Sequence, residues 1–363
     1  MKFSINQAEL QNSLVIVQKG ITNKSTMPVL SGIYAEAKGD EVTFQSTDLE
    51  LSIQYTVMAL VEEEGKAVFP GKLISDIVKN LPDAAVHVEA DEESAIVSCE
   101  SSSFSIRCLN PVDFPAFPEI LPEQSVSVPF DDFSTMARKV CRVVSRDESR
   151  AILTGVYIAV EEGTLKLVAT DSYRLAMTQL PLEGQREDFN AVVAGSFMSD
   201  LASLPKTGED ITLSLAENQI IVSYGGTVFI NRRIEGRYPN YKQLIPSSYE
   251  TRCIVDRAAL SSAVKRASLL DHSGSQVRVS ISAESQSIQL STSQDAGSTQ
   301  ELVRADVEGA DVEIGFNSHY MNEGLAAMDS SRVFLEIQGP LKPGIMKGDE
   351  GENYLYLVMP VRI

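Results

Sequence analysis

The sequence predicts an α+β protein made of three tandem, similar domains with antiparallel sheets, and two observations lead to this prediction. The first is an internal repeat, because the Thr47-Asp48 pair that follows an alternating strand recurs as Thr170-Asp171 and, more weakly, as Thr292-Ser293. Self-similarity at a fixed period indicates repeated structural units, and units this long can each bury a core. The second is that each third reads as helix, strands, helix, strands, without the long helical crossover that parallel strands need.

A second repeated mark sets the domain boundaries. An apolar or aromatic residue followed by proline occurs at Phe114-Pro115, Tyr238-Pro239 and Met359-Pro360. Proline cannot donate to a central ladder, so each pair ends a sheet and starts a connection. We therefore predict domains over residues 1–122, 123–247 and 248–363.

Helices are predicted in two sets, each occurring once in every repeat. They begin near Gln7, Asp131 and Arg257 in the first set and near Gly71, Gly195 and Asn317 in the second. The strands are expected to form hairpins. Around the turn at 161–164, for example, the β-prone run Val156-Tyr157-Ile158 precedes the turn and the alternating run Leu165-Lys166-Leu167 returns from it.

Composition excludes several classes of protein. The net charge of −19 argues against a simple nucleic-acid binder, so any anion-binding surface must come from local segregation of charge. Cys99, Cys108, Cys141 and Cys253 lack the paired spacing of a zinc site, and we expect them to be reduced. There is no secretion signal and no apolar run long enough to span a bilayer, which predicts a cytoplasmic protein without a membrane partner.

The predicted helix over Asp132–Arg146 has a basic stripe. Arg138, Arg142 and Arg146 recur every fourth residue, opposite an apolar side that contains Phe133 and Val140. Lys139 lies beside the stripe.

Two other predicted helices have similar basic faces. Lys72 and Lys79 lie opposite Leu73 and Ile77, and Lys265 and Arg266 flank the exposed side of the helix that begins near Arg257. One interpretation is that these are ordinary solvated faces of amphipathic helices. Repetition in an acidic chain favours the other interpretation, a basic surface that contacts the phosphates of DNA without reading its sequence.

No catalytic or cofactor-binding constellation is recognisable. The chain has no glycine-rich phosphate loop, no HExxH pattern and no G-x-S-x-G elbow, so we predict neither an enzyme nor a bound cofactor or metal. Asp48 and Asp171 occupy one position in two repeats. We therefore interpret them as residues that order a turn, not as paired catalytic carboxylates.

Motifs spread over the whole chain resemble those of a known family. They are Met1-Lys2-Phe3, Met27-Pro28-Val29-Leu30, Thr47-Asp48-Leu49-Glu50-Leu51, Pro70-Gly71-Lys72, Asp113-Phe114-Pro115, Ala169-Thr170-Asp171-Ser172-Tyr173-Arg174-Leu175-Ala176, Gly236-Arg237-Tyr238-Pro239-Asn240-Tyr241, Ile314-Gly315-Phe316-Asn317 and Val358-Met359-Pro360-Val361-Arg362-Ile363. In this order they resemble the bacterial DNA polymerase III beta subunit, the replication sliding clamp.

The resemblance implies the DNA clamp fold, in which a head-to-tail homodimer forms a ring with sheets outside and helices lining the inner face. Such a clamp encircles double-stranded DNA, tethers the replicative polymerase for processive synthesis and is loaded by an ATP-dependent clamp loader. The implied partners are the polymerase alpha subunit, the clamp loader delta subunit and other proteins that carry a clamp-binding motif. No cofactor is implied.

The predicted DNA-binding residues combine the helical pattern with the resemblance. They are Lys24, Lys72, Lys79, Arg138, Lys139, Arg142, Arg146, Lys265 and Arg266. Lys24 and Lys72 match positions where the family often carries an arginine that contacts DNA. Lysine keeps the charge there but loses the bidentate fork.

The resemblance also implies a groove between the second and third domains that receives short peptides of the Gln-Leu-x-Leu-Phe type. The groove residues are Arg150, Leu153, Thr170, Ser172, Tyr173, Arg174, Leu175, Pro239, Gln243, Leu244, Val358, Met359, Pro360, Val361 and Arg362. Ser172-Tyr173 stands where relatives often have Gly-His, and Gln243 stands where some carry arginine. These departures affect the preferred peptide.

Three other functions compete with this interpretation. A sequence-specific nucleic-acid-binding protein would need a recognition helix and a basic domain. An enzyme could use Arg150, Asp171, Tyr173 and Arg174 at a domain junction. A non-catalytic nucleic-acid-binding scaffold without topological linkage would share the basic faces but not the closed ring. For a ring, we expect the dimer contact of the first domain near 72–81 and 104–109.

Overall fold

The computed structural model describes residues 1–22, 26–91, 93–184, 187–270, 276–294, 297–349 and 351–362. They form two compact units. The first comprises Met1–Asp131 with Ser203–Arg233, and the second comprises Asp132–Ala202 with Ile234–Ile363. The predicted middle segment, 123–247, contributes to both units, and the three-domain division stays a prediction.

The strands of the described residues are numbered in chain order. They are β1 (Lys2–Asn6), β2 (Gly32–Lys38), β3 (Glu41–Thr47), β4 (Leu51–Met58), β5 (Leu60–Glu63), β6 (Gly65–Pro70), β7 (Ala85–Ala90), β8 (Ser94–Cys99), β9 (Ser102–Arg107), β10 (Gln124–Pro129), β11 (Gly155–Glu161), β12 (Thr164–Thr170), β13 (Arg174–Pro181), β14 (Phe189–Ala194), β15 (Asp210–Leu215), β16 (Gln219–Tyr224), β17 (Thr227–Arg232), β18 (Thr251–Asp256), β19 (Gln276–Ser282), β20 (Ser287–Gln294), β21 (Gly297–Gly309), β22 (Val312–Asn317), β23 (Arg332–Ile337), β24 (Gly344–Lys347) and β25 (Tyr354–Val358).

These strands pair antiparallel throughout the described ranges. The first unit holds one sheet in the order β5-β1-β7-β8-β9 and another in the order β10-β15-β16-β17-β4-β3-β2-β6. The second unit holds a single long sheet in the order β14-β11-β12-β13-β25-β24-β23-β18-β21-β20-β19-β22. The predicted α+β class with antiparallel sheets is confirmed.

The described residues also contain six α-helices, two in each repeat. They are α1 (Gln7–Val17), α2 (Gly71–Lys79), α3 (Phe130–Val140), α4 (Gly195–Ala202), α5 (Arg257–Ala267) and α6 (Ser318–Ala326). Side-chain caps define several starts, because Asn6, Asp256 and Asn317 each accept a hydrogen bond from an amide of the first turn. All six starts lie within one residue of their predicted positions.

The helix predicted over Asp132–Arg146 is shorter than expected. Helix α3 ends at Val140, a 3₁₀ turn follows over Cys141–Val143, and Val144 is extended, with φ −60° and ψ 145°. Two successive β-branched residues, Val143 and Val144, have low helix propensity and end the helical path. The stripe is therefore split, because Arg142 lies in the 3₁₀ turn and Arg146 lies beyond it.

The buried face of helix α2 also differs from the prediction. Ile74, Ile77 and Val78 are buried, whereas Leu73 is exposed. Lys72 and Lys79 are exposed, as expected. Helix α2 is short, so its sequence periodicity fixes the direction of the apolar face only to within about one residue.

Cys99, Cys108, Cys141 and Cys253 are free thiols, as predicted. Within the described ranges, no helix combines the length and the apolar character needed to cross a membrane.

Candidate functional site

The predicted groove residues lie in the second unit, where strand β13 pairs with strand β25. Arg174 is the register partner of Val358, and the amide of Met359 donates to the carbonyl of Tyr173 at 2.8 Å. Further along, the amide of Val361 donates to the carbonyl of Gly315 at 2.9 Å. The pairing thus brings the segment after β25 alongside the turn before β13.

That turn is ordered by the two residues of the repeat. The Thr170 hydroxyl accepts a hydrogen bond from the amide of Ser172, and Asp171 Oδ1 accepts from the amides of Tyr173 and Arg174 at 2.9 and 3.0 Å. Ser172 has a φ of 80°, in the left-handed region. The turn leaves 60% of Tyr173 exposed, so this tyrosine offers an aromatic surface to a ligand.

Arg174 is nearly buried and joins several elements. Its Nε donates to Asp171 Oδ2 at 3.0 Å, and its guanidinium contacts the Glu323 carboxylate and the Tyr356 hydroxyl. The same group donates to the carbonyl of Arg142 at 3.2 Å and lies 4.3 Å from the ring centroid of Tyr320. The guanidinium is therefore fixed by the fold itself.

Arg150 lies beside the same turn. Its Nη1 donates to the Ser172 hydroxyl at 2.9 Å, and its Nε donates to Asp147 Oδ2 at 3.2 Å. Leu153 follows in the same 3₁₀ segment and is buried. Arg150 remains exposed, so its charge is available to a ligand.

An apolar cluster lies under this region. It consists of Val168, Leu175, Tyr241 and Leu357, and Met177, Tyr238 and Leu355 pack against it. The ring of Tyr238 stacks on that of Tyr157 at a centroid distance of 5.0 Å.

Local hydrogen bonds link the rest of the groove to this cluster. The amide of Tyr241 donates to the carbonyl of Pro239, and the amide of Leu244 donates to the carbonyl of Tyr241. Gln243 lies in the same 3₁₀ turn. Leu244 and Met359 remain partly exposed, so the surface keeps apolar groups available. Pro360 is half-buried and Arg362 is exposed.

The corresponding position in the first unit has the same backbone but a different surface. Asp48 Oδ1 accepts from the amides of Glu50 and Leu51, and the amide of Arg232 donates to the carbonyl of Glu50 at 3.0 Å. These bonds confirm that the repeated aspartates order turns.

The residues below that first turn are polar. Gln45, Ser52 and Gln54 occupy the repeat positions of Val168, Leu175 and Met177. Two of them, Gln45 and Gln54, hydrogen-bond to each other, and Ser52 bonds to Thr47. At these three positions the Thr170-Asp171 copy has apolar residues beside its turn, and the Thr47-Asp48 copy has polar ones.

The predicted DNA-binding residues differ in exposure and in whether other groups of the protein already bind their charged side chains. Lys72, Lys79, Arg142, Arg146 and Lys265 are exposed, and Lys24 lies outside the described residues. Arg138 donates from Nε and Nη2 to the carbonyl of Ala202. Arg266 forms a bidentate pair with Glu301, with distances of 2.9 and 2.6 Å.

Lys139 is the exception among them. Its ammonium lies 2.7 Å from Glu352 and 2.8 Å from Asp329, and its side chain is 11% exposed. These contacts turn the charge away from solvent.

Sequence reasoning missed three groups that surround Arg174, namely Tyr320, Glu323 and Tyr356. They reach Arg174 only because β25 pairs with β13 and helix α6 lies nearby, so no local pattern marks them. Burial raises the pKa of Tyr356 to about 12, which keeps this hydroxyl neutral and able to hydrogen-bond. No cluster of metal-ligating side chains is present within the described ranges.

Comparison with known proteins identifies the family. The models of the DNA polymerase III beta subunit match in three parts: the N-terminal domain over residues 1–118, the central domain over 127–240 and the C-terminal domain over 242–362.

Relatives and a solved structure agree over the whole chain. Beta sliding clamps of Staphylococcus epidermidis and Staphylococcus aureus are 33% and 32% identical, with 100% of this chain and 99% of the relative covered in each case. A crystal structure of the DNA polymerase sliding clamp from Bacillus subtilis is 28% identical, has a TM-score of 0.94 and matches over 100% of this chain and 99% of that one. The chain therefore belongs to the DNA polymerase III beta subunit family, the bacterial sliding clamps, which are non-catalytic processivity factors of DNA replication.

Proposed function

We propose that this sliding clamp works as a homodimeric ring that encircles double-stranded DNA and tethers the replicative polymerase. The observation that carries the proposal is the apolar, Arg174-centred surface at the β13–β25 junction, since the first-unit copy has Gln45, Ser52 and Gln54 where this one has Val168, Leu175 and Met177. A polymerase held at this surface has a raised effective concentration at the primer end. Enclosure replaces tight binding to DNA, so the complex can slide.

The partner peptides in this proposal are short apolar segments of the Gln-Leu-x-Leu-Phe type. They belong to the polymerase alpha subunit, the clamp loader delta subunit and other clamp-motif proteins. Exposed Tyr173, Leu244 and Met359 supply apolar contact, and methionine repacks readily around different partners. The predicted groove residues beside this surface complete the proposed site.

DNA contact in this proposal is electrostatic. The exposed side chains of Lys72, Lys79, Arg142, Arg146 and Lys265 would approach phosphates, and Lys24 remains part of the set. Such contacts are independent of base sequence and weaken with salt. Arg138 and Arg266 contribute less, because a carbonyl and a carboxylate already engage them.

Dimerisation is proposed between the first domain of one copy and the third domain of the other. Strand β9 is at the edge of its sheet, and 40% of Phe104 is exposed there. An unpaired edge with an exposed aromatic residue is a natural docking surface. Two copies of the three domains 1–122, 123–247 and 248–363 would then close by a twofold operation, in the cytoplasm.

The rival is a nucleic-acid-binding scaffold without topological linkage. Loading on nicked circular DNA separates the two, with a matching clamp loader added in the presence or absence of ATP. The ring requires loader and ATP for stable association, because a closed ring must be opened. Equal association without loader and ATP would favour the scaffold.

A further inference from the structure

Lys139 holds a nearly buried ion pair at the end of helix α3. Its Nζ lies 2.7 Å from Glu352 Oε1 and 2.8 Å from Asp329 Oδ2, and the ammonium is 5.3 Å from the ring centroid of Tyr354. The side chains of Lys139 and Glu352 are 11% and 9% exposed. A desolvated pair of this kind needs fixed geometry, because each charge depends on the other.

Glu352 organises the loops around it. Oε1 accepts from the amide of Asp329 at 2.9 Å, and Oε2 accepts from the amide of Ser330 at 3.0 Å. The Glu352 carbonyl accepts from the amide of Tyr354, the first residue of β25. The carboxylate therefore fixes the entry to β25 at the same time as it holds Lys139.

A second connection joins the same two segments nearer to the groove. Arg174 donates to the carbonyl of Arg142, three residues after Lys139, and to the hydroxyl of Tyr356, two residues after Tyr354. The end of α3 and strand β25 are thus tied at two successive levels. Past the Arg174 connection, the segment that follows α3 continues to Arg150, and strand β25 continues to Met359.

We propose that the Lys139–Glu352 pair is a clasp that positions β25, and with it the groove residue Met359, for peptide docking. This inference rests on the proposed peptide-binding function. It assigns Lys139 as a positioning residue for the groove and removes it from the DNA-binding set. The two carboxylates beside the Lys139 ammonium offset most of its electrostatic attraction for a DNA phosphate.

The test compares Lys139→Met with Lys66→Met, a lysine of strand β6 whose side chain is 56% exposed. The probe is a synthetic peptide of the Gln-Leu-x-Leu-Phe type, titrated at a temperature where each variant is fully folded. We expect Lys139→Met to weaken peptide binding about tenfold and Lys66→Met to leave it unchanged. Glu352→Gln should weaken it similarly, and the double variant should be no worse than either single variant.

Two further measurements test the clasp independently of peptide affinity. Amide exchange of Met359 should be faster in Lys139→Met and in Glu352→Gln, whether or not any peptide binds. The dependence of short-duplex binding on salt should be unchanged in Lys139→Met and shallower in Lys79→Met.

Wild-type peptide affinity or unchanged Met359 exchange in the Lys139 and Glu352 variants would overturn the clasp. A shallower salt dependence in Lys139→Met would return Lys139 to the DNA-binding set. Failure of the wild-type protein to bind the peptide would count against the proposed function, and the exchange measurement would still decide the clasp.

Discussion

Asp171 binds Arg174 through one carboxylate oxygen while the other orders the turn between them. Oδ2 accepts from Arg174 Nε at 3.0 Å, and Oδ1 accepts from the Arg174 amide at 3.0 Å. The turn and the guanidinium are therefore built as one unit. This arrangement explains how a nearly buried arginine can stand at the proposed peptide-binding surface without a ligand to neutralise it.

Substitution of Arg174 by alanine should weaken binding of the groove peptide and lower stability. The change leaves the carboxylates of Asp171 and Glu323 without their partner, and breaking such a pair costs about 3–5 kcal/mol. Peptide titration and urea unfolding measure the two effects. Arg332→Ala, an exposed arginine of the same unit, is the matched control. Normal peptide affinity in Arg174→Ala would refute the groove assignment, and the mass of the dimer should not change.

Alanine at Lys79 or Lys265 should reduce the salt dependence of DNA binding. Each lysine that contacts a phosphate contributes about 0.9 to the slope of log K against log salt. Fluorescence anisotropy with a short duplex over a range of salt concentrations gives this slope. Lys66→Ala serves as the control, because Lys66 lies on strand β6 and pairs with Glu36 of strand β2. Slopes equal to wild type for both test variants would show that these helices do not face DNA.

Glycine at Leu49 should stabilise the protein. Leu49 has a φ of 79° and is 61% exposed, so the side chain costs conformational energy and buries little. Release of left-handed strain should raise the free energy of unfolding by about 1 kcal/mol. Ser172→Gly, at the repeat position, should gain less, because it also loses the hydrogen bond from Arg150. Urea unfolding compares the two variants, and a loss of stability in Leu49→Gly would contradict the argument.

The Glu161 carboxylate should make stability fall in acid. Burial opposes its ionisation, but hydrogen bonds from Lys242 and Lys166 outweigh this effect and lower its pKa. A carboxyl group with a lowered folded pKa stabilises the fold above its unfolded pKa, about 4.3, and this contribution is lost as pH falls through the folded pKa. Urea unfolding from pH ~6 to pH ~3.5 should show a smaller loss in Glu161→Gln than in wild type. Parallel losses in the two proteins would rule out this role for Glu161.

The features predicted well were those set by local patterns. The helix starts recur with the repeat, and the Thr-Asp turns depend on adjacent residues, so the sequence was enough to predict the starts and the role of the aspartates. Helix α3 was predicted too long, since a 3₁₀ turn over Cys141–Val143 and the extended Val144 end the helical path, and the charge periodicity does not register either.

The environment of individual charges could not be predicted in the same way. Lys139 has the sequence pattern of an exposed basic residue, yet Glu352 approaches it from a loop that is remote in the chain. Arg174 likewise gains Tyr356 through the pairing of β13 with β25 and Glu323 through the nearby helix α6. These contacts join segments that are remote in the chain, so no local pattern in the sequence indicates them.

Retention on a nicked circle measures topological linkage to DNA. The protein is loaded with a clamp loader and ATP, washed in high salt and then treated with an enzyme that cuts the circle once. We predict retention through the salt wash, because enclosure does not depend on charge, and release after the cut, because the ring slides off the ends. Loss during the salt wash, before any cut, would show binding by charge alone and would rule out topological linkage.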